Sequence, residues 1–433
     1  MTTIPEVAQA MQTLLTTTAE EVARKTGFIQ RQRKVSGAGF AQTLVFGFLS
    51  HPRSTREEGR QTAATVGMRL STPGLDKRFT AKAAYFLDSL LQRALAQVVE
   101  AVPGSEGLLA RFTGVYIADS SVVKLPPELA TVWRGNNHDE EAAVKVAVRW
   151  EMSRGGLGIW LRSARQHDQQ MGVGNGPRPP GSVRLNDLGF FNLETFAHDL
   201  AHGVDFFTRY KTGTRLALPD GTRLDLARDL RQQPPGPVDV PILLGALHLP
   251  ARLIAWPVPQ EVADQRRARL LAQARHKQQP LSETTLALAA WTIYLTSLPP
   301  ERLPPREALI LGMTRWQVEC LFDLWKNSGA LDESRSQDPH RVWCEFYAKL
   351  LALLVQHWLF LVSCWRRLDR SFHRAAQLIR KQALHLALTL PDLPVFIQSL
   401  SALADSLLFT SGLSRRRNHP LTFPYWLLEV GDV

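Results

Sequence analysis

The spacing of the apolar residues changes once, abruptly, and that change limits what the chain can fold into. Up to about residue 104 they recur at the three-and-four spacing of helices, over Pro5–Ala23, Thr55–Met68 and Pro73–Val102. Pro103-Gly104 interrupts, and β-branched and aromatic runs follow. FTGVYIADSSVVKLP reads as a buried strand, and EEAAVKVAVRWEM and GLGIWLRSARQ as two more, joined by a turn at Ser153-Arg154-Gly155-Gly156. The expectation is a helical region, residues 1–104, ahead of an α/β region that begins near residue 105. With 433 residues, 45% of them apolar, the chain has enough material for a sizeable core.

Within the helical region the link LSTPG places Thr72 at an N-cap and Pro73 in the first turn. Two helices joined so tightly make a candidate helix-turn-helix, with Lys77, Arg78 and Lys82 on the second helix towards DNA. An ordinary helical hairpin with a solvated basic face gives the same pattern. A basic loop with Lys25, Arg31, Arg33 and Lys34 precedes it. The formal charge of +11 and the pI of about 9.9 favour a polyanionic partner, nucleic acid or an acidic membrane surface. Cys320, Cys344 and Cys364 are odd in number and widely spaced, which suits a reducing cytoplasm rather than a disulfide framework or a zinc cluster. No secretory signal is read at the start. The most apolar run, Leu350 to Trp365, contains Gln356 and His357 and is short for a membrane span, so a buried helix and a cytoplasmic protein are expected.

Asp119 follows the first strand run. Further on, SVRLNDLGFFNLETFAHDLAHGVDFFTRYK predicts a strand to Asn186, Asp187 at its end, a helix from Asn192 to His202 and a strand through Phe206 to Arg209. From Thr214 to Pro259 short β-like runs recur around an Asp220-Gly221 turn, which reads as a β-rich insertion over 214–260. A basic helix, Glu261 to Gln279, carries Arg266, Arg267, Arg269, Arg275 and Lys277. Trp291 lies in WTIYLTSLP, where it either stacks on an unpaired base or packs in the core. Residues 331–433 read as a helical C-terminal region, basic through Arg366, Arg367, Arg370, Arg374, Arg380, Lys381 and Arg415-Arg416-Arg417.

Thr314 to Asn327, TRWQVECLFDLWKN, predicts one helix. Leu311, Val318, Leu321, Phe322 and Trp325 mark its apolar side, and Arg315, Glu319 and Lys326 share a second ridge. A solvated ion-pair stripe accounts for such a ridge. The wording RW-x-x-E-x-x-F-x-x-x-K, however, resembles the signature helix of DDE transposases of bacterial insertion sequences, the group marked by Tyr, Arg, Glu and Lys (YREK). IADSSVVKLP resembles the strand of that family's first aspartate. NDLGFFNLETFAHDLAHGVDFFTRYK resembles the region of its second.

The resemblance implies an α/β fold: a ribonuclease-H-like catalytic core, residues 105–213 and 261–330, interrupted by the β-rich insertion and flanked by helical regions. It implies that Asp119, Asp187 and Glu319 are catalytic and bind two Mg²⁺ or Mn²⁺ ions, which suits hard oxygen donors. Arg315 and Lys326 would hold phosphates at the transposon end, with Arg209, Lys211, Trp291, Lys77 and Arg78 as further DNA-binding candidates. The partners implied are double-stranded DNA, as terminal inverted repeats and target, and a second copy of the chain in a homodimer. A non-catalytic DNA-binding relative is the alternative. One departure stands out: the signature tyrosine belongs three residues before Arg315, and that position is Gly312. Either the tyrosine's role is lost or moved and the glycine is merely tolerated, at about 1 kcal/mol relative to alanine, or the missing side chain lets DNA or a neighbouring strand approach the helix backbone closely; the first reading is preferred from sequence.

Competing patterns are weak. His198-Asp199-Leu200-Ala201-His202 has zincin-like spacing but an Asp where that family has Glu. GVGNGP at 172–177 is a loop without the Lys-Ser/Thr of a phosphate cradle. Asp168, Asp199 and Asp205 are rivals to Asp187.

Overall fold

The computed structural model describes residues 2–31, 34–101, 107–135, 141–168, 172–173, 176–234, 236–365 and 370–412. Pro103-Gly104, Arg33, Gly174, Arg366, Arg367 and Arg415-Arg416-Arg417 lie outside them.

Helices come first: α1 Ile4–Thr13, α2 Ala19–Lys25, α3 Gly37–Ser50, α4 Arg56–Thr65, α5 Thr72–Asp76 and α6 Ala81–Leu95. Strands β1 Val115–Leu125, β2 Ala142–Glu151, β3 Leu157–Ser163 and β4 Val183–Asn186 follow, then α7 Leu193–Ala201, β5 Asp205–Arg209, β6 Leu216–Ala217, α8 Leu226–Arg231, β7 Val238–Leu244 and β8 Leu249–Pro257. The chain continues through α9 Gln260–Lys277, α10 Glu283–Leu288, β9 Trp291–Thr296, α11 Pro305–Thr314, α12 Gln317–Asp323, α13 Pro339–Val362, α14 Phe372–Thr389 and α15 Leu393–Thr410. The result is a mixed α/β fold. Its nine-stranded sheet has the order β3-β2-β1-β4-β5-β9-β8-β7-β6.

Two compact units divide the described residues, one holding those within 1–105, 120–166 and 318–412, the other those within 106–119 and 167–317. The first is mainly helical, with the β2–β3 hairpin. At its centre α3 is buried nearly all round and packs against α2, α4, α13 and α14. A Cβ on Gly37 would meet the Ala23 Cβ at 2.4 Å, so glycine lets α2 and α3 touch. Because α3 is apolar on every side, it has no amphipathic signature, and helix periodicity did not mark it in the sequence. The apolar run at 350–365 lies largely within α13, which is buried along most of its length.

The second unit carries the sheet from the first half of β1 outward. β1 and β4 run parallel, Val115 opposite Val183, and β4 and β5 run parallel, Val183 opposite Asp205. β9 pairs antiparallel with both β5 and β8. The strands expected of an insertion therefore continue the sheet through β8, β7 and β6. Phe196, Phe206, Leu244, Leu253 and Leu295 fill a core beneath them.

Two predicted helices are broken. Ser71, not Thr72, caps α5, accepting from Gly74 N. Thr80 caps a separate α6, accepting from Ala83 N at 3.3 Å. This second cap ends the expected continuous helix, and Lys77 and Arg78 sit in the turn between α5 and α6 rather than on a recognition helix. The 314–327 segment is also interrupted. The Thr314 hydroxyl donates back to the Ile310 carbonyl at 3.1 Å, and Trp316 N bonds Met313 O, three residues back instead of four. A turn at Arg315-Trp316 separates α11 from α12, and a π turn, Leu324–Ser328, follows. The single ridge of Arg315, Glu319 and Lys326 is thereby lost, while Leu311, Val318, Leu321, Phe322 and Trp325 are all buried as expected.

Candidate active site

The parallel pairing of β1 with β4 sets the two aspartates side by side. Ala118 pairs with Asn186, so Asp119, inside β1, and Asp187, the first residue past the end of β4, each follow that pair, on strands about 4.8 Å apart. Both are half-buried. Their neighbours hold the strands in place: Ile117 and Leu185 are buried, and Thr208 of β5 donates its hydroxyl to Asn186 O at 3.2 Å.

Arg315 approaches this pair from the end of α11, its Nε 3.7 Å from Asp187 Oδ1. Behind it stands Tyr294 of β9, opposite Arg209 of β5. Burial pushes the Tyr294 phenol up, and the positive charges of Arg209, Arg266 and Arg315 pull it partly back. Sequence reasoning missed Tyr294, since nothing local distinguishes it from an ordinary strand aromatic. It also preferred the wrong account of Gly312. Tyr294 occupies the space that a side chain at 312 would need, so the glycine admits a close neighbour and is not merely tolerated.

Beside these residues a cavity of about 540 Å³ is lined by Arg209, Tyr210, Arg266, Arg269 and Trp291, with no carboxylate among the described residues of its walls. Arg266 donates to Trp291 O at 3.0 Å and to the Thr292 hydroxyl at 3.1 Å. Burial, and then Arg209, lower its hold on its proton. Trp291 is half-buried, partly packed on the core and partly lining the cavity. Lys211 is exposed, with its Nζ 5.8 Å from the Phe191 ring centre.

Glu319 and Lys326 belong to the other compact unit. Glu319 is exposed in the first turn of α12. Lys326 Nζ donates to the Val122 carbonyl of β1 at 2.8 Å, which leaves two of its three protons for another acceptor. Lys77 and Arg78 are exposed in their turn. Among the described residues no three acidic, histidine or cysteine side chains converge as a metal cluster.

The rivals to Asp187 have structural partners. Asp199 is buried between Arg184, at 2.9 Å, and Arg178, at 3.3 Å. Asp205 accepts from Ser297 and Arg302. His198 and His202 stack on one another with ring centres 4.3 Å apart.

Comparison with known proteins places these features in a family. Residues 110–355, more than half of the chain, match the model described as the transposase DDE domain. The chain belongs to the transposase DDE family. It is similar to the transposase for insertion sequence element IS231F of Bacillus thuringiensis subsp. israelensis, 24% identical over 78% of this chain and 76% of that protein. It is also similar to the IS1151 transposase of Clostridium perfringens, 22% identical over 79% and 78%. The putative transposase InsL for IS186A of Escherichia coli K12 is 30% identical over 39% of this chain and 49% of its own. The DDE-domain match contains Asp119, Asp187, Arg315, Glu319 and Lys326, and excludes Lys77 and Arg78.

Proposed function

We propose that this DDE-family chain is an insertion-sequence transposase of the Tyr-Arg-Glu-Lys group that cuts the element's ends by phosphodiester hydrolysis and joins them to target DNA. The observation that carries the reading is the register of Asp119 and Asp187 on neighbouring parallel strands, within the order β3-β2-β1-β4-β5. That order supports a ribonuclease-H-like core. Its paired carboxylates are hard donors of the kind that hold Mg²⁺ or Mn²⁺. Glu319 is the third acid by its wording in the sequence.

When bound by these acids, two such ions would supply activation of water, then of a DNA 3′-hydroxyl, and stabilisation of the leaving oxygen. The chain's own residues do the rest. Arg315 holds a phosphate oxygen beside Asp187, and Lys326 holds a phosphate of the transposon end, both through charge-assisted hydrogen bonds. Arg209 and Lys211 hold the backbone of the same DNA end, and Trp291 gives an unpaired base a stacking surface. Lys77 and Arg78 add phosphate contacts away from the DDE domain. A homodimer on paired inverted repeats follows from the family resemblance.

The test is cleavage of DNA carrying the element's inverted repeats in Mg²⁺. Asp119→Asn, Asp187→Asn and Glu319→Gln should each lower the rate more than ~1,000-fold while leaving end-binding within about threefold. A variant that still cuts removes its residue from the site. A wild-type chain that binds ends and never cuts is the non-catalytic relative instead.

A further inference from the structure

An ideal Cβ on Gly312 would lie 2.2 Å from the Tyr294 hydroxyl oxygen, 2.4 Å from Cζ and 2.7 Å from Cε1. The tip of the phenol therefore fills the place of the missing side chain. The ring is fixed from its other sides. It is 4% exposed, its centre is 4.7 Å from that of Phe207, and its backbone is paired with both Arg209 and Ile254. Arg315 stands one turn beyond Gly312, with its guanidinium 3.7 Å from Asp187. How deeply α11 seats on Tyr294 thus sets how Arg315 meets Asp187.

We propose that Tyr294 is a positioning residue for the cleavage reaction: its phenol is a strut that seats α11 through Gly312 and so aims Arg315 at the phosphodiester held beside Asp187. This inference rests on the function proposed above. A methyl group at 312 needs ordinary contact distance from this buried ring, so ring or helix must give, and the Phe207 contact resists a shift of the ring. A shift of about 1 Å at a positioned group costs on the order of 100-fold in rate.

The experiment combines Gly312→Ala, Tyr294→Leu and their double variant with single-turnover cleavage of end DNA in Mg²⁺, end-binding affinity, and amide exchange over residues 310–317. Gly312→Ala is expected to slow cleavage about 100-fold, to change affinity less than threefold and to speed exchange. Tyr294→Phe keeps the ring and should cut within about threefold of wild type. Tyr294→Leu makes room, so the double variant should regain at least tenfold of what Gly312→Ala loses. In an Arg315→Ala background Gly312→Ala should slow cleavage no further, which a purely structural role would not produce. A Gly312→Ala protein that cuts at the wild-type rate, or a loss that is undiminished without Arg315, overturns the strut. If the wild-type chain cuts no DNA, the functional reading fails by itself. The strut then stands or falls on exchange, and unchanged protection at 310–317 in Gly312→Ala removes it.

Discussion

At the scale of single residues, the site is a set of side chains whose meaning depends on neighbours far off in sequence. Trp291 illustrates the point. It is half-buried, it lines a cavity whose charged side chains are arginines, and Arg266 grips its carbonyl. On the proposed function, Trp291→Ala should weaken end-binding by about 1–3 kcal/mol, the usual worth of one base stacked on an aromatic ring. Binding to a fully paired duplex of the same sequence should change less. Equal losses on both DNAs would assign the tryptophan to core packing. The strand ends were only half legible: β4 stops just before Asp187, as its apolar run followed by a turn predicts, but β1 continues through Asp119 to Leu125 instead of closing on it. Tyr294 was not legible. What makes it matter is the helix that settles on it, and a strand residue carries no mark of the helix that will cover it. Gly312 gave half the message: a glycine inside a helix asks for a close neighbour but does not say which.

At the scale of elements, helices with one wet face were legible and those with none were hidden. α6 shows seven buried positions on one side, whereas α3 is buried almost throughout. Breaks within helices were hidden as well, because a cap such as Thr80 competes with continuation by only about 1 kcal/mol. α13 offers a test of burial. Its His357 is 2% exposed and bonds the Gly155 carbonyl at 2.6 Å, and burial pushes its pKa down to about 4. The folded state therefore holds the neutral ring, while the unfolded chain takes up a proton near pH 6.5. The stability this histidine helps to set is complete above pH 6.5 and is lost as pH falls towards 4, by about 3 kcal/mol in all. Chemical denaturation across that range should show the decline, and His357→Gln should flatten it. A variant with the same pH slope as wild type would place the titration elsewhere.

At the scale of the whole molecule, the charge of +11 was plain from composition. Affinity for DNA should fall by about 1,000-fold or more between roughly 50 and 200 mM salt if about six phosphates are neutralised, because each contact releases counterions. A salt-independent binding constant would contradict the proposed partner. The α/β class and the run of strands were readable from periodicity. The sheet order was not, since it depends on pairings between distant segments. That order also dictates how the chain must assemble as it is made. β7 and β8 are neighbours in sequence and can pair as soon as they emerge, but β9 has to enter between β8 and β5, whose residue Phe207 waits for Thr296. Until residues 291–296 have left the ribosome, two strand edges stand open, and open edges invite pairing with other chains. A chain stopped just before Trp291 should aggregate faster than one extended through Thr296. β9 joins the two halves of the sheet, and until its six residues are out the nascent chain carries both inner edges exposed.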